Sequence, residues 1–291
     1  MISIIIASVD NKSLEDVQNN IEKTIGVEHE IISFNNGVDK IGLCEIYNKG
    51  ASIAKYDLLC FMHEDILMHT NNWGQKVLEI MIDKSIGLLG IAGSNYKSLT
   101  PTGWACPGLE DQCNRVNIIQ RFKFSNKSTK HEVCNPNNEK LAMVACVDGV
   151  WMCVQKSVFQ EFKFDEKLLK KFHGYDIDFS LQLATKYKVA VTYDVILEHF
   201  SEGNYTSDWA DDILKINKKH KAVLPLKINN LSDKTTKVAE KIALKDLLKR
   251  LSKLNYNVFQ KLAILWKHDL YRVLGIKNFI VFNFKILIFR Y

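Results

Sequence analysis

The sequence predicts an α/β fold: a mostly parallel sheet flanked by helices, followed by a helical C-terminal extension. Three observations carry that prediction. Apolar runs of strand length recur at 2–7, 28–34, 58–62 and 86–92, with helix-period segments between them. Polar residues follow these runs at successive strand ends, where open α/β sheets bind ligands. Past residue 232, leucines recur at helical spacing with Lys and Arg between them.

With 291 residues, 47% hydrophobic and 25% charged, the chain has a globular composition and room for a large α/β domain plus an appendage. The net charge of +6 is uneven. Residues 233–291 hold 13 Lys/Arg against 4 Asp/Glu, so this tail carries +9 and the body −3. The body lacks the basic surplus of a nucleic-acid binder, and no nucleic-acid partner is expected. The seven cysteines form no CxxC pair, which argues against a zinc ribbon or a thioredoxin-type site. Cys44, Cys60, Cys146 and Cys153 sit in apolar runs and read as buried small hydrophobes in a reducing compartment. The apolar N-terminus is too short for a signal peptide and lacks a basic start. No apolar run reaches the length of about 18 residues that spans a membrane.

Taking the elements in order, the first strand turns off at Ser8-Val9-Asp10. Ser13 and Asp16 have capping-box spacing and start a helix that Gly26 can stop. The second strand ends in Asn35-Asn36-Gly37, and residues 41–54 are helical by period. The third strand matters most. Leu58 to Met62 run straight into His63, Glu64 and Asp65. Such a run suits a strand buried on both faces, with the imidazole and two carboxylates at its carboxyl edge. They form either a metal-capable group or an acidic loop start. A helix over 73–82 and a strand over 86–92 complete the alternation. Ser8, Asp10, Asn35 and His63 to Asp65 then share one sheet edge, the pattern of a nucleotide crevice.

Residues 95–140 are rich in Pro, Gly and Asn and predict an irregular lid or substrate-binding surface. There Tyr96 and Trp104 either stack on a sugar or anchor the loop. The apolar run 141–154 is broken by Asp148-Gly149. A carboxylate so placed is costly unless paired, so Asp148 either accepts backbone hydrogen bonds at a bend or faces the crevice. A helix opens near Tyr175, with Asp176 and Asp178 in its first turn, where the helix dipole favours carboxylates. A strand over 188–193, continued by 195–199, and a helix over 205–221 complete the body at residue 225. Residues 226–291 form a basic amphipathic helical tail. Lys277, Lys285 and Arg290 interrupt its apolar end, and residues 240–291 are expected either to contact a membrane surface or to cap the body or a second subunit.

Five blocks, SIIIASVD (3–10), IYNKGASIAKYDLLCFMHEDI (46–66), VDGVWMCVQKSVF (147–159), FDEKLLKKFHGYDIDFSLQ (164–182) and LEHFSEG (197–203), resemble in this order a family 2-type glycosyltransferase of the GT-A fold. The likeness is to a bacterial subgroup related to a streptomycin-biosynthesis protein, and it covers residues 1–225. In such enzymes a D-x-D triplet holds Mn2+ or Mg2+ on the donor diphosphate. His63-Glu64-Asp65 stands in that place, so the resemblance makes Asp65 the firmest metal ligand, with His63, Glu64 and His199 beside it. A histidine in place of a carboxylate favours Mn2+. The family's acidic pair before a helix corresponds to Tyr175-Asp176, which makes Asp176 the expected base and Asp178 the alternative. His199 is either a metal or diphosphate contact or a capping histidine. Ser8, Asp10 and Asn35 match the nucleotide-binding region, and Asp148, Trp104 and Tyr175 the donor and acceptor region.

The resemblance thus implies a metal-dependent, hexosyltransferase-like enzyme of bacterial cell-surface polysaccharide synthesis. It would move a sugar from a nucleotide-sugar, a UDP-sugar favoured, to a glycan or lipid-linked hydroxyl with inversion, in the cytoplasm or peripherally at the inner membrane face. Two rivals stand beside it. A sugar-nucleotide nucleotidyltransferase needs a glycine-rich loop after the first strand, and residues 8–13 contain no glycine. The other is a non-catalytic sugar- or nucleotide-binding scaffold.

Overall fold

The computed structural model describes residues 1–37, 40–123, 126–228 and 230–288, so Arg290 lies outside the described residues. Strands β1 (Ile2–Ser8), β2 (His29–Asn35) and β3 (Leu58–His63) alternate with helices α1 (Asn11–Thr24) and α2 (Leu43–Ile53), and β1 pairs in parallel with both β2 and β3. The apolar runs of β1 and β3 are fully buried because alternate residues feed two cores. Ile5, Leu59 and Phe61 meet Ile46 and Tyr47 of α2 on one side. Ile4, Ile6, Cys60 and Met62 meet Val17 and Ile21 of α1 on the other. Helix α1 starts earlier than the Ser13 spacing predicts. Asp10 is its cap, accepting from the Ser13 backbone N–H at 2.7 Å.

The chain continues through β4 (Ile66–Met68), α3 (Trp73–Ile80), β5 (Ile86–Gly90), β6 (Ala92–Ser94), β7 (Tyr96–Lys97), α4 (Glu110–Cys113), β8 (Asn114–Gln120) and β9 (Lys130–Cys134). Then come β10 (Leu141–Val144), β11 (Cys146–Val147), β12 (Trp151–Gln155), α5 (Lys156–Glu161), α6 (Tyr175–Leu183), β13 (Lys188–Thr192), β14 (Leu197–His199), α7 (Ser207–Lys219) and β15 (Leu226–Lys227). The large sheet runs β10-β13-β5-β12-β3-β1-β2. β13 lies parallel to β5, whereas β12 is antiparallel to both its neighbours, so this half of the sheet is mixed. A second sheet, β11-β6-β8-β14-β4 with β9 beside β8, shares the core of Ile4 and Ile6 through Ile66, Val116, Ile118 and Leu197.

Two sequence expectations are amended here. Residues 95–140 are irregular over most of their length, as expected, but they also carry β8, an interior strand of the second sheet. Its side chains are polar and apolar in mixture because Asn114, Arg115 and Asn117 are buried with hydrogen-bond partners. Residues 195–199 do not extend β13. A turn in which the Asp194 N–H donates to Thr192 Oγ1 at 3.1 Å sends β14 into the second sheet.

Four helices close the chain: α8 (Asp233–Lys253), α9 (Val258–Lys267), α10 (Tyr271–Leu274) and α11 (Ile276–Leu287). Leu244, Leu247, Leu248 and Leu251 of α8 lie in the same core as Tyr175 and Ile213, so the core is continuous across residue 225. Glu240 is fully buried and accepts hydrogen bonds from Tyr96 Oη at 2.6 Å, Leu99 N at 2.8 Å, Thr100 N at 2.9 Å and Thr100 Oγ1 at 2.6 Å. Tyr96 is therefore a clamp between loop and tail and does not stack on a ligand. Among the described residues no helix is long and apolar enough to cross a membrane. Cys44, Cys60, Cys146 and Cys153 are buried as expected, and no cysteine is in a disulfide.

Candidate active site

A cleft of about 1010 Å³ opens beside the carboxyl ends of β1 and β3, room enough for a nucleotide-sugar. One wall is the sheet edge. The antiparallel pairing of β14 with β4 sets His199 opposite Ile66, and the Phe200 N–H donates to the Asp65 carbonyl at 3.0 Å. This draws His199 to the turn that carries His63 and Asp65. His63 Nδ1 lies 3.8 Å, and His199 Nε2 3.6 Å, from Asp65 Oδ1. Ligand atoms of all three residues fall within 4.8 Å of one another.

The other ring nitrogens are already committed. His63 Nε2 is 2.8 Å from Tyr175 Oη, which itself donates to the Gly149 carbonyl at 3.0 Å. A hydroxyl whose hydrogen is donated to a carbonyl accepts from the imidazole, so His63 carries its hydrogen on Nε2 and keeps the Nδ1 lone pair. His199 Nδ1 donates to Gln120 Oε1 at 3.3 Å, leaving Nε2 buried with no hydrogen-bond partner among the described residues. Both lone pairs thus face one carboxylate. Burial, partly countered by Asp65, lowers the His63 pKa and favours its neutral, ligating form. Burial raises the pKa of Asp65, but the two imidazoles beside it, whenever they are protonated, and a 2.6 Å hydrogen bond from Ser201 Oγ outweigh it and hold the carboxyl well below its usual range. Glu64 turns away. Its oxygens accept the backbone N–H of Val9 at 3.0 Å and of Asp10 at 3.2 Å, so it latches the ends of β1 and β3 together and stands outside the three-ligand group.

The other wall is helical. Gly174 precedes α6 with φ 78°, a left-handed conformation suited to glycine, and an added Cβ would lie 2.3 Å from Ile216 Cδ1. The turn delivers Tyr175 and Asp176 to the cleft. Gly149 is equally constrained, since its Cβ would fall 2.2 Å from Tyr175 Oη. Asp176 Oδ2 accepts the Gly149 N–H at 3.1 Å. Asp176 keeps some exposure to the cleft yet is densely surrounded. Burial, reinforced by the charge of Asp148, pushes its pKa up to about 7, against backbone N–H groups that lower it. Asp178 points elsewhere. It is buried and bound to His220 Nε2 at 2.7 Å, Lys219 Nζ at 2.9 Å and Gln182 Nε2 at 2.8 Å.

Asp148 does both things expected of it: Oδ1 accepts the Val150 N–H at 2.8 Å, and the residue lines the cleft. Trp104 lines the cleft and packs on both cores. Asp10 lines it while capping α1, and hydrogen bonds from Ser13 lower its pKa. Ser8 is buried, its Oγ donating to the Asp10 carbonyl, and Asn35 accepts from the Gly37 N–H; neither lines the cleft. Sequence reasoning missed Gln120, Ser201, Tyr205, Leu247 and Arg250. Gln120 was hidden inside a segment expected to be loop, and the last two lie in the basic tail, beyond the residues that carry the family resemblance. Arg250 lies 3.4 Å above the Tyr205 ring and donates to Asp246 at 2.6 Å.

A divalent metal fits this donor set: two imidazole lone pairs and a carboxylate held ionised converge, and His199 Nε2 has no hydrogen-bond partner among the described residues. A model described as "Glycosyltransferase like family" matches residues 3–222. The chain belongs to this glycosyltransferase-like family. The match takes in the sheet-edge wall and the α6 part of the helical wall, and ends before α8. The crystal structure of GalNAc-T7 with UDP, GalNAc and Mn2+ is similar over 91% of this chain and 56% of that one, at 12% identity and TM-score 0.51. The family member thus spans just over half of that transferase, and the likeness shows the GT-A fold. Mannosyltransferase PcManGT from Pyrobaculum calidifontis, in complex with GDP-Man and Mn2+, is similar over 92% of this chain and 72% of that one, at 9% identity and TM-score 0.49. Protein A197 from STIV covers 69% of this chain and 86% of its own, at 15% identity and TM-score 0.39. No curated protein matches the chain.

Proposed function

We propose that the protein is a metal-dependent glycosyltransferase that moves a sugar from a nucleotide-sugar to a hydroxyl acceptor. The observation that carries this reading is the meeting, in one cleft, of the His63–Asp65–His199 ligand set and the desolvated carboxylate of Asp176. Held by those three ligands, Mn2+ or Mg2+ would offset the charge that grows on the departing diphosphate, and two imidazoles favour Mn2+. Asp176 receives the acceptor hydroxyl's proton as that oxygen bonds to the anomeric carbon from the face opposite the leaving group, which inverts the configuration. A carboxyl with a pKa near neutrality is suited to that task, and Asp178, saturated by three hydrogen bonds, is not.

Asp10 and Ser13 line the end of the cleft beside β1, to which we assign the nucleotide. Trp104, Tyr205 and Arg250 line the part to which we assign the acceptor. A UDP-sugar donor and a glycan or lipid-linked acceptor of bacterial cell-surface synthesis complete the reading, supported by the sequence resemblance. The test is a nucleotide-sugar screen for Mn2+-dependent release of nucleoside diphosphate, with and without chelator, comparing Asp65→Asn and Asp176→Asn. Release of pyrophosphate would instead indicate a nucleotidyltransferase, and tight donor binding without turnover across an acceptor panel a scaffold.

A further inference from the structure

Helices α9 and α11 are apolar on the side that faces the body and apolar again on the side that faces solvent. Phe279, Phe282 and Ile286 of α11 are buried, while Ile276, Ile280, Phe284 and Leu287 are 74, 61, 61 and 52% exposed. The exposed set recurs every three or four residues and forms an outer stripe opposite the buried one. On α9, Phe259 and Trp266 are 80 and 60% exposed, a spacing that places them on one outward face. The two stripes are joined. Trp266 Nε1 donates to Asn283 Oδ1 at 2.9 Å, and its ring meets Phe279 edge-on at 4.9 Å. A helix that is apolar all round belongs in a covered setting, and contiguous exposed patches of this kind mark interaction surfaces.

The charge around the patch selects its occupant. Residues 254–288 contain five Lys/Arg and one acid, Asp269, which is paired with Lys221 at 2.5 Å. Lys267, Arg272 and Lys277 are exposed beside the apolar stripes. A symmetric contact with a second copy would bring these like charges together, whereas an anionic surface complements them. At 12 residues α11 is roughly 18 Å long, short of the hydrocarbon thickness, so it can lie in an interface but not cross one. We propose that the outer face of α9–α11 docks on an anionic membrane surface, its apolar side chains at the acyl boundary and its cations on lipid phosphates. Helix α8 supplies Leu247 and Arg250 to the cleft and leads into α9, so docking suits a lipid-linked acceptor. That last step alone rests on the glycosyltransferase reading.

Flotation of the full chain with vesicles tests the docking directly. Binding to phosphatidylcholine vesicles containing phosphatidylglycerol should exceed binding to phosphatidylcholine alone by about tenfold or more and should weaken as salt is raised. Phe284→Asp combined with Ile280→Asp should abolish binding, and Lys277→Glu with Lys285→Glu should reduce it about tenfold. All four positions lie off the core-facing stripe, so melting temperature and Mn2+ binding should stay at their native values and report that the variants fold. Failure of the native chain to float with anionic vesicles would overturn the proposal. So would a concentration-dependent dimer that Phe284→Asp dissolves, since that assigns the face to a second copy. Loss of sugar transfer with vesicle binding intact would strike the proposed reaction and leave the docking standing.

Discussion

The two walls of the cleft are held by different kinds of structure. On the sheet edge, strand register does the positioning: His199 stands opposite Ile66, and Asp65 and His63 flank the turn that leads there. Side chains of Tyr175, Gln120 and Ser201 then orient His63, His199 and Asp65 in turn. The helical wall is assembled from Gly149, Tyr175, Asp176, Leu247 and Arg250, which are distant in sequence and meet only because α6, α7 and α8 pack on one core. A ladder of backbone hydrogen bonds tolerates a changed ligand side chain, but a packed wall transmits a change to everything resting on it. Chemistry and stability should therefore separate on the first wall and couple on the second.

The largest effect falls on the sheet edge. Asp65→Asn should lower nucleoside diphosphate release by about 10⁴-fold, ~5 kcal/mol of lost electrostatic stabilisation, with little change in melting temperature. A measured loss below tenfold would show that the three residues hold no catalytic metal. On the helical wall Asp176→Asn should cost about 10³-fold in turnover and remove the rise of activity with pH near 7. Its effect on stability has the opposite sign. The folded-state pKa of Asp176 is about 7 against an ordinary value of 3.8, so the folded protein binds more protons between these values and native stability falls as pH rises through them. The amide variant escapes that loss. It should melt above the native protein at pH 8 and close to it at pH 4. Equal melting at both pH values would mean that Asp176 is not a strained base.

Coupling through the tail gives the next effect. Glu240→Ala leaves the Tyr96 hydroxyl and the Leu99 and Thr100 N–H groups buried without their acceptor, a cost of ~3 kcal/mol, read as a lower denaturant midpoint at unchanged slope. A neutral outcome would show that α8 is only laid against the body. The sequence made the sheet-edge wall legible for a physical reason. A doubly buried strand is a continuous apolar run, and the first polar residues after it mark its end, which is why His63 and Asp65 stood out. The pairing of β14 with β4 could not be read, because Leu197–His199 is too short to carry a period of its own. Gln120 was lost for a related reason. Strand β8 buries Asn114, Arg115 and Asn117 with satisfied hydrogen bonds, so its polarity imitates a loop. Helix α8 shows its leucines clearly, but no pattern within a helix says which core its stripe will meet.

The smallest effect falls on Tyr175, which belongs to both walls. Its hydroxyl accepts a hydrogen bond from His63 Nε2–H and donates one to the Gly149 carbonyl, so it fixes the tautomer that leaves Nδ1 free toward Asp65. Tyr175→Phe removes both hydrogen bonds while keeping the ring that packs beside Tyr47 and Phe164. His63 can then place its proton on either nitrogen and rotate, and Mn2+ affinity should fall about tenfold, measured by titration of the free protein and independent of turnover. Activity should return when Mn2+ is raised to saturation, since Asp65 and His199 are untouched. If affinity is unchanged while turnover falls, the hydroxyl acts on substrate and the walls are chemically separate. If both are unchanged, strand register alone orients His63, and the sheet edge needs no help from the helical wall.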